Sequence, residues 1–457
     1  MSVLVQNSVK RTLFAMAFPM LAGTFAMNAY NLTDAWFVAQ LGTFPLAAIG
    51  FTFPVIMLLS CVSIGLGSGI TTLTSHALGR KDHEAAAHFA TYGMAFACAV
   101  SAVIAVAGSL SIEPIFTRLG ADAHTLPLVD AYMRIWYIGA PTMCLPMIGS
   151  GILISLGDSK NASRLMMLGT LLNLVLNPIL IFGWLGVPAL GIRGSALATV
   201  LAQAVSMIWL FRLLLKYRLL KMGGWHFRDA LKAVQGILRF GIPGVLSMVL
   251  MPISATVITR IMSGFGNEAV AACGVAGRIE MFAFIIPMAL GMSMTPFISQ
   301  NYGAGRLDRI REAVGVSYRF ALLYGGGVAV LFFLCAHPLG ALFSSDPRVV
   351  AILVAYIRII AFGYGLMEAH RYSGMILTGM HRPLSATALN AIRVIVLLIP
   401  LSCLGAYLGG VRGVFWGRLA TDLLVGGLGM VWVHRMLKLA VVAPPVVGGS
   451  PHGCSQT

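Results

Sequence analysis

Four carboxylic acids of this chain, Asp34, Glu280, Glu368 and Asp422, fall inside long apolar stretches. An ionisable group removed from water is costly, so each needs either a partner or a task. Glu368 precedes Arg371 by three residues and Asp422 follows Arg418 by four, which puts each pair one helical turn apart. Glu280 is two residues from Arg278, which points elsewhere on a helix, so its partner has to come from another segment. Arg278, Glu280, Glu368, Arg371, Arg418 and Asp422 therefore read as a structural ion-pair network in the second half of the chain.

Asp34 differs, because no Lys or Arg occurs between Arg11 and Arg80, and its neighbours at three and four residues are Tyr30, Asn31, Phe37 and Val38. A carboxyl in that setting binds a cation, holds a proton, or sits at the end of its segment and meets water. Asn173 and Asn177 share one face of another helix, and Pro178 beside them frees the carbonyl of Leu174. Ser195 and Thr199 lie one turn apart on a third, suited to an ion site or to close helix packing.

The segments that carry these residues span a membrane. Of 457 residues 58% are hydrophobic and only 10% charged, where a soluble chain has about 25% charged residues. That excludes a soluble enzyme, a nucleic-acid-binding module and a disordered protein, and the net charge of +16 is that of basic membrane-flanking loops. Seven cysteines show no paired or metal-ligand spacing, and six lie in apolar stretches. A crossing takes about 20 apolar residues. Twelve such stretches occur, at 13–39, 46–78, 89–110, 130–156, 162–184, 191–215, 233–263, 270–302, 317–338, 350–379, 384–409 and 412–437. The first continues through Trp36, Phe37 and Val38, too long for a signal peptide.

Twenty of the 31 basic residues flank the termini and the loops after even-numbered spans, against six on the opposite side. Both termini are therefore expected in the cytoplasm of an inner, or plasma, membrane.

The halves resemble each other. Phe18-Pro19-Met20 recurs as Ile242-Pro243-Gly244, and Leu41-Gly42 with Ala47-Ala48 as Phe265-Gly266 with Ala271-Ala272, both at an offset of 224. Gly79-Arg80-Lys81-Asp82 recurs as Gly305-Arg306-Leu307-Asp308, and Gly191-Ile192-Arg193-Gly194 as Gly410-Val411-Arg412-Gly413. Six spans per half is an even number, so the halves are parallel repeats with a cavity between them, as in transporters. The fold expected is an all-α integral membrane protein with twelve helices in two pseudo-symmetric six-helix lobes around a central cavity. The first lobe covers 1–217, a cytoplasmic loop 218–232, the second lobe 233–440, and a disordered Pro-, Gly- and Ser-rich tail 441–457.

Tyr30-Asn31-Leu32-Thr33-Asp34, Asn173-Leu174-Val175-Leu176-Asn177-Pro178, the Gly191–Thr199 run and Ser299-Gln300-Asn301-Tyr302-Gly303-Ala304-Gly305 together resemble the multidrug and toxic compound extrusion (MATE) transporters, in their DinF-like branch. The resemblance covers residues 10–437. It implies export of cationic or amphipathic drugs and toxins against an inward flux of protons or sodium. It also maps a coupling site onto Asp34, Asn173, Asn177 and Thr199, with Tyr30 one turn before the acid. Asn177 stands where some members have a second aspartate, and one carboxylate suffices for a proton but is poor for sodium. A proton on Asp34 is expected to let its span bend at Pro19 or Gly23, closing the first-lobe cavity and expelling drug.

Adaptable aromatic and methionine walls for the cargo are expected from Phe37, Met248, Met281, Met288 and Met292. Partners are the drug or toxin, H+ or Na+, and the lipid bilayer, with no nucleic acid, no cofactor, no metal other than a sodium ion at Asp34, and action as a monomer. The alternative is a lipid-linked saccharide flippase, which needs a basic cavity such as Arg278, Arg358 and Arg371 would make. An intramembrane enzyme has only Glu368, His370 and His76 to work with, and the first two do not share a helix face.

Overall fold

In lipid a backbone must satisfy its own polar groups, and a helix does so within one segment. The computed structural model describes residues 3–221, 223 and 226–442, and among them there is no β-strand. The long helices are α1 (Val9–Ala39), α2 (Thr43–Gly79), α3 (His83–Leu110), α5 (Ser159–Phe182), α6 (Ile192–Lys216), α7 (Phe227–Ser263) and α9 (Leu307–Phe343). Two others are bent: α4 (Leu126–Ile138 and Ala140–Ser155) by 51° and α8 (Asn267–Ala283 and Ile285–Gly303) by 59°. Each bend lies just before a proline, Pro141 or Pro287, that removes a backbone donor. A 3-10 turn joins the halves of α10 (Pro347–Ile360 and Tyr364–Gly379).

Pro383 opens a last helical run, broken at Gly409 and Gly410, where φ of +57° at Gly410 lies outside the helical region. That break divides it into α11 (383–408), with a π-helical stretch at Ile392–Leu398, and α12 (411–442). The chain therefore makes the twelve expected crossings among the described residues. Helix α7 begins at Phe227, inside the segment expected as loop (218–232), and residues 443–457 of the expected tail lie outside the described residues.

The duplication is written in the backbone. Gly42 and Gly266, which open the second helix of each half, have φ of +110° and +105°; Gly191 and Gly410, before the sixth, have +56° and +57°.

Helices α1–α6 form one lobe and α7–α12 the other, and the apolar cores say how the two meet. On the side of the termini a single core runs through both lobes, from Leu13, Met20 and Ile70 to Phe297, Tyr372 and Leu377. On the far side each lobe keeps its own: Ala48, Phe116, Tyr132 and Tyr137 in the first, Ile279, Leu353, Tyr356 and Phe415 in the second. Backbones touch at the joined end, where a Cβ on Gly79 would lie 2.1 Å from the Gln300 carbonyl oxygen and one on Gly303 would lie 2.3 Å from that of His76. Polar contacts cross there too, with Ser299 donating to the Thr72 carbonyl at 2.7 Å and Arg309 to that of Asn7 at 2.7 Å. Beyond Thr24 and Gly65 the lobes part, and Phe44, Phe53 and Leu58 on α2 and Met251 and Ile253 on α7 are exposed. The result is a central cleft closed at the termini side and open at the other.

Candidate functional site

Three helices of the first lobe each bring polar residues one turn apart. Helix α1 carries Tyr30 and Asp34, α5 carries Asn173 and Asn177, and α6 carries Ser195 and Thr199. Gly194 lets the last two helices come together: a Cβ there would stand 2.3 Å from the Leu180 carbonyl oxygen. The chain reversal between them is pinned by Leu190 N–H donating to Leu180 at 2.9 Å and Gly191 N–H to Ile181 at 3.2 Å. With α6 set that close, Ser195 and Thr199 face the two asparagines.

The side chains then form one continuous network. Asn177 Nδ2 donates to Asp34 Oδ1 at 3.1 Å and to Asn173 Oδ1 at 3.0 Å. Ser195 Oγ donates to the same Asp34 oxygen at 3.0 Å. Asn173 Nδ2 in turn donates to Thr199 Oγ1 at 3.0 Å, and that hydroxyl is 2.9 Å from the Tyr30 hydroxyl. Asn173, Asn177, Ser195 and Thr199 are buried and Asp34 is half-buried. No Lys, Arg or His forms an ion pair with Asp34 among the described residues. A carboxylate ringed by neutral donors can take up and release a proton, or hold a small cation. All five residues expected at this site are together. Ser195 completes it and was legible only as the residue one turn before Thr199.

The second-lobe charges pair differently from the expectation. Glu368 does meet Arg371, at 2.5 Å on its own helix. Arg418, however, grips Glu280 with two bonds of 2.8 and 2.9 Å, and Asp422 goes instead to Arg393 at 3.1 Å. The expected Asp422–Arg418 turn-to-turn pair is thus corrected: both candidate partners of Arg418 are acids, and the one on α8 presents both oxygens to its guanidinium. Tyr356 supports that pair by donating to Glu280 Oε1 at 2.8 Å. Arg278 belongs to no ion pair among the described residues.

Among the expected cargo-wall residues, Met281 and Met288 are exposed, Met248 is half-buried, and Met292 Sδ accepts from the Thr24 hydroxyl of the other lobe at 3.9 Å. Phe37 is buried inside the first lobe, against Trp36 and Phe182. The basic trio Arg278, Arg358 and Arg371 is not gathered as such: Arg358 lies over the Phe333 ring and Arg371 is tied to Glu368. His370 bonds Asn390 at 2.9 Å, while His76 packs against His381 between the lobes, so no catalytic grouping with Glu368 forms.

The MatE family model matches the chain twice, over residues 19–179 and 243–404, so each half carries one copy of the unit. A protein of Shewanella oneidensis described as an FAD transporter is 34% identical over 424 residues, covering 93% of this chain and 94% of that protein. The probable multidrug resistance protein YoeA of Bacillus subtilis is 27% identical over 362 residues, 78% of each chain. The Vibrio cholerae MATE transporter VcmN, solved in its bent form, superposes with a TM-score of 0.91 at 28% identity, covering 95% of this chain and 98% of that one. With the family's unit in both halves and the fold shared from end to end, this chain belongs to the MATE family of multi-pass membrane transporters.

Proposed function

We propose that the protein is a proton-coupled antiporter that exports amphipathic small molecules, drugs and toxins included, from a bacterial cell by alternating access through the central cleft. The observation that carries the reading is the Asp34 carboxylate, held by neutral donors alone. Ionised, it keeps the Asn177 and Ser195 donors turned toward it. Protonated, it no longer needs them both, and α1 is free to move against α5 and α6. A sodium ion at the same place would have to draw amide oxygens, not amide N–H groups, toward the carboxylate. The basic loops support cytoplasmic termini, and with them an outward-facing cleft ready to release cargo and take up a proton. The protein acts as a monomer, each copy holding its own cleft and coupling site.

The cargo has a second reading, an anionic flavin nucleotide, supported by the FAD transporter relative at 34% identity. Efflux of a dye from vesicles with a proton gradient alone, then a sodium gradient alone, tests the coupling. Export driven only by sodium at fixed pH would keep the site and overturn the proton.

A further inference from the structure

Charges at membrane depth in the second lobe nearly cancel. Glu280, Glu368 and Asp422 are each matched by one arginine, Arg418, Arg371 and Arg393. Of the two remaining arginines, Arg358 lies over the Phe333 ring, and Arg278 is exposed with no ion pair or ring contact among the described residues. It stands eleven residues into α8 from Asn267, about 16 Å along the helix, and so well inside a hydrocarbon layer of about 30 Å. An unpaired cation at that depth faces water or an anion.

Helix periodicity says which of its surroundings Arg278 faces. Ala269, Ala272, Ala276, Ile279 and Ala283 form the buried face of its helix. On the other side Ala271, Gly274, Arg278, Met281, Ile285, Met288 and Met292 follow at alternating three- and four-residue steps. That stripe ends on Met292, whose sulfur meets Thr24 across the floor of the cleft. The Phe284 and Met288 N–H bonds carry the helix through its 59° bend, so the stripe keeps to one face and Arg278 lies on the same side of α8 as Met292. Space is available beside it, since a Cβ on Gly274 or Gly277 would meet nothing within 4 Å. On α7, an open recess of about 450 Å³ is lined by Ala255, Thr256, Thr259, Ser263 and a second exposed arginine, Arg260. Asp34, inside the first lobe, takes two hydrogen bonds from neutral donors there.

We propose that Arg278 is the anion-binding residue of the cleft, and that the substrates it selects are amphipathic molecules carrying a phosphate or carboxylate on an aromatic body. The guanidinium takes the acidic group in the fork geometry that suits it, and the thioethers below accommodate the ring. The proposal rests on the reading of the cleft as the transport path and gives it a charge preference.

Equilibrium binding to the purified full-length protein, with no gradient imposed, tests it independently of coupling. Riboflavin phosphate and riboflavin differ by the phosphate alone, and ethidium supplies a cation of similar size. Wild type is expected to bind riboflavin phosphate more tightly than riboflavin. Arg278→Gln should weaken riboflavin phosphate at least about tenfold, the loss of one charged hydrogen-bonded contact, while riboflavin changes less than about twofold and ethidium binds as well or better. Arg278→Lys should recover part of the loss. Equal weakening of riboflavin and riboflavin phosphate would make Arg278 a merely structural residue, and an unchanged phosphate affinity, or no binding of any probe by wild type, would overturn the proposal. A failure of proton coupling shows instead in the gradient assays, with these affinities intact.

Discussion

Replacing Asp34 by asparagine removes one exchangeable proton and little else. The carboxylate accepts from Asn177 and Ser195 at 3.1 and 3.0 Å, and an amide oxygen in the same place can accept both. Each bond then falls from roughly 1.5–3 kcal/mol to about 0.5–1.5 kcal/mol, so the fold loses about 2–3 kcal/mol at most. Part of that returns because a half-buried charge is no longer carried. The effect on transport is larger. Under the proposed proton coupling, one carboxylate in the network carries one proton per cycle, and each pH unit supplies about 1.4 kcal/mol. Cargo accumulation in vesicles clamped at zero membrane potential is therefore limited to about tenfold per pH unit and about a hundredfold for two units. We expect wild type to follow that slope as the imposed gradient is varied, and Asp34→Asn to bind cargo yet only equilibrate it at every gradient. Full accumulation by the variant, or a wild-type slope of two decades per unit, would refute the one-carboxylate argument.

Three further outcomes are expected. Gly194→Ala places a methyl against the Leu180 carbonyl, forces α5 and α6 apart at a cost of about 1–3 kcal/mol, and should lower both the melting temperature and gradient-driven export. Arg393→Ala strands the fully buried Asp422 carboxylate, a loss of about 3–5 kcal/mol. Asp422→Asn should restore much of the melting temperature in that background but not in Arg418→Ala, and equal rescue of both would reinstate the Arg418 pairing. The imidazole of His381, outside the spans, is pulled down from its ordinary range to about 3, first by burial and then by the neighbouring His76 and Arg239. Its neutral form thus favours the closed interlobe contact fully above its ordinary value of about 6.5, and that contribution is lost as pH falls from there toward 3. Pulsed EPR between labels at Arg80 and Ala304 should report lengthening on acidification, damped in His381→Asn; a pH-independent distance would count against it.

Local spacing made much of this molecule legible before any coordinates. Apolar runs long enough to cross lipid have to be helices, so the twelve crossings followed from composition and length. The residues of the Asp34 network were legible for a related reason: Tyr30 and Asp34, Asn173 and Asn177, Ser195 and Thr199 each sit one turn apart, and that spacing alone puts each pair on one face. What periodicity cannot say is which face meets which helix. The partners of Arg418 and Asp422 lie 138 and 29 residues away, chosen by how α8, α11 and α12 are turned toward one another. The inward turn of Phe37, the bends of α4 and α8, and the isolation of Arg278 depend in the same way on neighbours far along the chain. Packing between helices decided them, because a helix fixes the angle between its own side chains but not the rotation of the whole helix in its bundle.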